Sequence, residues 1–463
     1  MKKTIKSLFG DVDILNGSIL KGILLFAFPI ALSGILQLLF NSADVAVIGI
    51  YENSYSQAAV NSNGPIINLI VNLFIGLSVG STVLISKSVG EGDTKDVKSM
   101  VFTSLVIAII SGFIVMFIGV GLAKPLLQLI DTPEEVLPLA TKYLKIYFMG
   151  MPFILIYNFG AAILRSVGDS LRPLIALTIG GVINVGLNFL FVAGVKLNVA
   201  GVALATVISN AIIAIAVLYF IFKNEMFKFK LSEVKIKSKY VLFIFKIGLP
   251  AGAQGVIFSI ANVIIQSSIN AFGDKAMAGN GDALFFESFI YFFTNAFAQT
   301  LITFTSQNYA AKRIDRCKEV YKKVYIVALA ITLALSVAFA FSGRYLLRIY
   351  TSDEEVIEFG VKRLMSSCLF NFVACAYEMP GGALRGLGHS FLPAIFTIFG
   401  SCILRIVYIF GIYNTMLPQS LDVLLIIYPI SWMVTGIMMQ TAHSIIYRKM
   451  YSSILDKKTL STN

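Results

Sequence analysis

The stretch ILRSVGDSLRP around residue 165 returns far downstream as ALRGLGHSFLP. Leu164, Arg165, Gly168, Ser170 and Pro173 recur as Leu384, Arg385, Gly388, Ser390 and Pro393. The same offset carries LLQLIDTPEEV (126–136) onto LLRIYTSDEEV (346–356), and Ser86 onto Ser306. Upstream the offset lengthens by one residue, and Pro29, Gly34 and Asn41 fall on Pro250, Gly255 and Asn262. A spacing held over so much of the chain marks a duplicated unit, so each half is expected to build the same substructure. In a membrane protein such a duplication points to a transporter, because two similar halves can rock against each other about a central site.

Composition places the chain in a membrane. Hydrophobic residues make up 57% and charged residues 13%, against roughly half and a quarter in soluble domains. Apolar runs repeatedly reach the roughly 20 residues that a helix needs to cross a bilayer. Read between charged clusters, they fall at about 25–50, 57–86, 100–122, 138–164, 173–194, 198–222, 240–270, 278–307, 318–342, 357–384, 391–413 and 422–447. The expected fold is therefore an all-α polytopic membrane protein with twelve transmembrane helices in two six-helix lobes. The lobes are 1–222 and 240–447, with a basic linker at 223–239 and a tail at 448–463.

An even number of spans puts both termini on one side, and charge says which. Lys and Arg, 37 in all, concentrate before the first run, in 87–98, at Arg165 and Arg172, in 223–239 and 312–323, at Arg385 and after the last run. The opposite loops hold only Lys124, Lys196, Lys275, Arg344 and Arg348. Positive loops stay in the cytoplasm, so both termini are expected there. The net charge of +12 is thus a topology signal, and no soluble basic domain is present to bind nucleic acid. The four cysteines fall in spans or a cytoplasmic loop and imply no disulfide framework. The first apolar run is too long for a signal-peptide core and is read as a span.

Absent motifs narrow the chemistry. The sequence has no GxxxxGK[ST] loop, no HExxH, no CxxC pair and no GxSxG elbow, and only two histidines, His389 and His443. No enzyme and no zinc site is expected, and a carrier or flippase is favoured over a pore. Each half opens with a proline-bearing span, FAFPIALSG with Pro29 and KIGLPAGAQG with Pro250. Each is read as a packing kink or a working hinge. Gly76 and Gly80 in GLSVG form a small-xxx-small face suited to helix packing.

Ionisable groups inside spans are costly and mark function by default. Asp44, in LLFNSADVAVIG, lies deep in the first span, with Asn41 one turn before it. Desolvation favours the neutral form of a carboxylate, so such a group can exchange a proton near neutral pH, or hold a sodium ion if neutral oxygens surround it. Asn184 and Asn188 of the fifth span and Thr206 of the sixth can supply those oxygens, or can serve as interhelical glue. In the second half, Asp282, Glu287, Glu378 and Arg405 lie in or near the eighth, tenth and eleventh spans. Glu287, flanked by aromatics, is a candidate to face an organic cation in a substrate cavity. Arg405, mid-span, is expected to form a structural ion pair with Glu378 or Glu287.

These features resemble the multidrug and toxic compound extrusion (MATE) transporters. The 6+6 layout, the paired ILRSVGDSLRP and ALRGLGHSFLP elements, and TSQNYAAKRIDR with Gln307 and Asn308 carry the resemblance, which extends over about 20–445. It implies a bacterial plasma-membrane antiporter, driven by H+ or Na+ and needing no cofactor, that expels amphipathic, often cationic, small molecules by a rocker-switch motion. It also implies action as a monomer in the lipid bilayer. By position, Asp44 matches the first-span aspartate of the DinF-like branch, Asn184 its fifth-span asparagine and Thr206 its sixth-span threonine. That branch has an aspartate where this chain has Asn188, and Phe258 and Ala374 stand where the NorM-like branch has acids. One carboxylate, Asp44, is left for the cation site. Gly168 with Pro173, and Gly388 with Pro393, are read as corresponding short cytoplasmic turns. The rival reading is a flippase for lipid-linked oligosaccharide or peptidoglycan precursor; a membrane-embedded enzyme or receptor is further removed.

Overall fold

The computed structural model describes residues 12–93 and 96–461. The chain ends that the sequence reading assigns to the cytoplasm therefore lie partly outside the described residues. Those described form long helices joined by short turns. In the first half these are α1 (Ile19–Tyr51), α2 (Ser54–Glu91), α3 (Val97–Leu129), α4 (Leu137–Met149 and Met151–Ser166), α5 (Leu171–Gly194) and α6 (Val199–Lys223). In the second half they are α7 (Ser238–Asn270), α8 (Asp274–Ala310), α9 (Ile314–Leu347), α10 (Glu354–Ser366, a 3-10 stretch Cys368–Ala374, then Cys375–Leu387), α11 (Phe391–Met416) and α12 (Leu421–Met450).

Among the described residues, nine of these are apolar and long enough to cross a membrane, and α4 makes a tenth if its two parts, bent by 49°, count as one span. The bend sits at Gly150, where Pro152 opens the second part. Of the two remaining, α8 is long enough but less apolar, carrying Asn280 and Glu287, and α10 is broken by its 3-10 stretch into two 13-residue helices that carry Arg363, Glu378 and Arg385. With them the segments number twelve, six in each half. Lipid contact is written on the outer faces: Ile110, Phe113, Ile114, Phe117 and Ile118 of α3 are all exposed, at the spacing of one helix stripe.

The described chain packs into two compact units. One comprises Val12 and Pro29–Gly252, the other Asp13–Phe28 and the chain from Ala253 onward. The cuts fall inside α1 at Pro29 and inside α7 after Gly252, whereas the sequence reading drew the boundary in the 223–239 linker. Both helices run continuously through their prolines. Within the first unit, α2 and α7 touch through small residues on both sides. A Cβ on Gly76 would come within 2.2 Å of the Gly252 nitrogen, and one on Gly80 within 2.2 Å of the Ile244 carbonyl oxygen. Gly248 and Gly252 answer at the same spacing against the Leu77 and Leu73 carbonyls. The small-xxx-small face is thus a backbone-to-backbone helix contact.

The repeated motif builds the same cap twice. Gly168 (φ 93°) and Gly388 (φ 97°) are left-handed, a conformation that glycine adopts without a Cβ penalty. The amide of Gly168 donates to the Arg165 carbonyl and that of Asp169 to Leu164; Gly388 and His389 repeat this with Arg385 and Leu384. Pro173 and Pro393 then sit in the first turns of α5 and α11, where a missing N–H costs nothing. The QN element has a separate task in the second unit. Asn308 reaches the Ile14 carbonyl, Arg313 the Leu15 carbonyl, and Arg316 the carbonyls of Ile14 and Gly17. The turn preceding α1 is thereby bound to the end of α8 and the start of α9.

Candidate functional site

In the first unit α1, α5 and α6 bring Asp44, Asn184, Asn188 and Thr206 together. Asp44 is 6% exposed. Its Oδ1 accepts from Asn188 Nδ2 at 2.5 Å, and its Oδ2 accepts from Thr206 Oγ1 at 3.4 Å. Asn188 Nδ2 also reaches Asn184 Oδ1 at 3.3 Å. α5 positions its two amides because they are four residues apart on one face, and a π-helical turn, Phe189–Gly194, begins directly after Asn188. Such turns rotate the following residues off the α-helical register and are frequent at functional sites. Tyr143 and Tyr147, stacked on α4 with centroids 6.1 Å apart, are further electrostatic neighbours of Asp44 that the sequence reading did not single out.

This geometry has two chemical consequences. Donors face the carboxylate from two helices, which is the arrangement an ionised acid needs once it leaves water. The buried Asn188 Oδ1 has no hydrogen-bond partner. An amide rotation would turn that oxygen toward Asp44. Asn41 takes no part: it is exposed and makes no hydrogen bond to Asp44 among the described residues.

The second unit differs from its sequence reading. Glu287 is buried, and its Oε2 is held by Arg363 through Nε at 2.9 Å and Nη2 at 2.8 Å. Its Oε1 accepts from Ser367 and Asn371. The partner expected for it, Arg405, is therefore not its partner, and Glu287 has little acceptor capacity left for a substrate. Arg363 also donates to Asn280 at 2.7 Å, and Asn280 donates to Gln266. Glu378 is half-buried with Arg385 as its charged neighbour, and Arg385 donates to Gln254 at 2.7 Å. Asp282 is half-buried and stands apart from this network. Arg405, fully buried, donates to Ser431 and Asn262 and lies over the rings of Tyr428 and Phe258. Among the described residues, no group of three or more His, Cys, Asp or Glu is placed to bind a metal ion.

Known proteins agree with this architecture. Residues 29–190 and 250–410 match the MatE family, and the two matched stretches coincide with the two repeats. A probable multidrug resistance protein, YpnP, of Bacillus subtilis is 27% identical over 396 residues, covering 85% of this chain and 88% of its own. The multidrug export protein MepA of Staphylococcus saprophyticus is 24% identical over 379 residues, covering 81% and 83%. A solved structure described as the outward-facing conformation of a multidrug resistance MATE family transporter of the MOP superfamily superposes with a TM-score of 0.88. It is 22% identical and covers 96% of this chain and 99% of that one. With both repeats matched and the fold shared end to end, this chain belongs to the MatE family, whose members are membrane transporters and not enzymes.

Proposed function

We propose that the protein exports small amphipathic, cationic compounds across the bacterial plasma membrane by ion-coupled antiport, working by alternating access with both termini in the cytoplasm. The observation that carries this reading is the Asp44 cluster: a carboxylate in a membrane span, bonded to Asn188 and Thr206, with an unpartnered amide oxygen beside it. A buried carboxylate in a bilayer is retained at a cost of at least a few kcal/mol, and an ion that comes and goes at Asp44 gives that cost a use. The relatives named for multidrug export and resistance support the substrate class. A monomer in the lipid bilayer is the form proposed, with no cofactor beyond the coupling ion, H+ or Na+.

Because Glu287 is saturated by Arg363, Ser367 and Asn371, the acids proposed to meet a cationic substrate are Glu378 and Asp282. The test is transport of a fluorescent organic cation by everted vesicles, driven by a proton gradient or a sodium gradient in turn. Transport driven by one of them and lost with it supports the reading; uptake indifferent to both gradients sinks it. A flippase for pyrophosphate-linked lipid would need several cationic side chains open to its headgroup, and Arg405 is enclosed.

A further inference from the structure

Arg405 presents an electrostatic problem that the protein around it does not solve. It lies mid-span in α11 with 0% exposure, too deep to reach water with its head group. Every other buried charge in its neighbourhood has an opposite partner: Arg363 has Glu287, and Arg385 has Glu378. Arg405 makes no ion pair among the described residues. The one acid among them whose charge acts on it is Glu287, whose two oxygens are already occupied by Arg363, Ser367 and Asn371. The protein supplies Arg405 with neutral groups instead. Ser431 Oγ accepts from Nε at 2.9 Å and Asn262 Oδ1 from Nη1 at 3.1 Å. The Tyr428 and Phe258 rings lie 4.5 and 5.1 Å from the guanidinium. Nη2 is buried with no partner at all. Leaving a charge buried and uncompensated is strongly destabilising, and an unmet donor adds to that.

The position of this residue sharpens the point. The repeat sets α1, α5 and α6 against α7, α11 and α12, with Asn41 falling on Asn262 and Pro173 on Pro393. The first trio encloses a carboxylate, Asp44; the second encloses a guanidinium, Arg405. Both charges stand beside π-helical turns: Phe189–Gly194 follows Asn188, and Ile398–Ile403 and Tyr408–Tyr413 flank Arg405. Each half thus carries one buried charge at matching helices, with opposite sign.

We propose that Arg405 is the anchor of an anion site, in which a small monovalent anion, a halide such as chloride or a carboxylate group, binds Nη2 and neutralises the second unit. Phe258 and Asn262, both half-exposed on α7, form the side by which it enters. The anion is small because the guanidinium is enclosed on every face, so that the Phe258 and Asn262 side chains must move aside to admit it. This inference goes beyond the export reading and does not need it, since it is read from binding to the folded protein.

The experiment uses purified full-length protein in detergent, exchanged into gluconate, an anion too bulky for the site. Adding chloride or bromide should raise the thermal unfolding midpoint saturably, by roughly 2 °C or more. Arg405→Met should abolish the rise. Should that variant not fold, bromide-soaked crystals of the unaltered protein decide, with anomalous density in contact with Nη2 as the expected result. A rise with acetate but not with halides would identify a carboxylate as the source, and hence an organic anion as ligand. Absence of any anion-dependent rise together with absence of bromide density beside Arg405 overturns the proposal, as does a halide-dependent rise that persists in folded Arg405→Met.

Discussion

Asn188 Nδ2 donates to Asp44 Oδ1 at 2.5 Å across 144 residues of chain. That contact joins the fifth span to the first at the one carboxylate buried in the first six. Its other side is an unpartnered amide oxygen, which leaves one acceptor beside the carboxylate unused. Thr206 Oγ1 is shared between Asp44 at 3.4 Å and the Val202 carbonyl one turn back at 3.0 Å, so Asn188 is the firmer of the two partners.

Asp44→Asn should abolish gradient-driven export while leaving membrane insertion and expression at parental level. The substitution keeps the size of the side chain and its capacity to accept from Asn188, but removes the charge that an ion would neutralise. Dye efflux in everted vesicles, normalised to protein in the membrane, reads the effect. Parental efflux by the variant would take Asp44 out of the coupling step.

Asn188→Asp places a second carboxylate at hydrogen-bond distance from Asp44. Two acids so close cannot both ionise in a low-dielectric setting, and they share a proton. The pH profile of transport should therefore move to the alkaline side, since the pair keeps one proton where the single acid has lost it. An unchanged profile would mean that the two positions do not titrate as one site.

The two-lobed helical fold was legible because duplication and apolar runs are properties of whole segments, which survive loose boundaries. Asp44, Asn184, Asn188 and Thr206 were legible as polar groups in apolar runs, and the structure gathers them. Asn41 was misplaced because three residues along a helix is about 60° of rotation, enough to carry it from the buried face to the exposed one. Arg363 was missed for a different reason. It sits in EEVIEFGVKRLMS, whose charges look like those of a helix end in water, and nothing local shows that it reaches Glu287 76 residues earlier. Pairing across helices is set by packing, and a single sequence carries no record of it.

Asp96 accepts from Lys237 Nζ at 2.8 and 2.7 Å and from the Tyr240 hydroxyl, tying the linker to the start of α3. The Lys237 hydrogen bonds, followed by that of Tyr240, hold the Asp96 carboxyl below the usual range. A depressed carboxylate contributes stability above its unfolded value of about 4 and loses it as pH falls through the folded value. Protection against hydrogen exchange in 230–240, taken relative to the intrinsic rate at each pH, should thus be high at neutral pH and fall below about pH 4. Asp96→Asn should lower it already at pH 7. Equal exchange in parent and variant at pH 7 would remove this tie.

Gly80→Ala should be destabilising by about 1–3 kcal/mol, the range of overpacking. The new Cβ would meet the Ile244 carbonyl oxygen at 2.2 Å, and a backbone atom cannot swing aside as a side-chain tip can. Gly121→Ala, with no atom within 4 Å of its Cβ, is the control and should be neutral or mildly stabilising, since alanine is the better helix former. Thermal unfolding in detergent compares them. A Gly80→Ala midpoint matching the Gly121→Ala midpoint would show that α2 and α7 are not in backbone contact.

Glu287→Gln tests the other buried ion pair and separates its structural role from a role in substrate binding. The pair joins α8 to α10, with the Arg363 and Glu287 side chains 2% and 10% exposed, so losing one partner strands the other. A stranded buried charge costs about 3–5 kcal/mol. Glu287→Gln and Arg363→Met should therefore each lower the unfolding midpoint sharply. The double variant should recover much of the loss, because replacing both charges removes the desolvation penalty together with the attraction. A substrate-binding acid behaves differently: its single neutral variant would stay stable and lose affinity for cations, and Arg363→Met in addition would restore nothing. Stability loss in the singles with recovery in the double fixes Glu287 as a strut between α8 and α10, whereas a stable Glu287→Gln with weakened cation transport would return it to the substrate path.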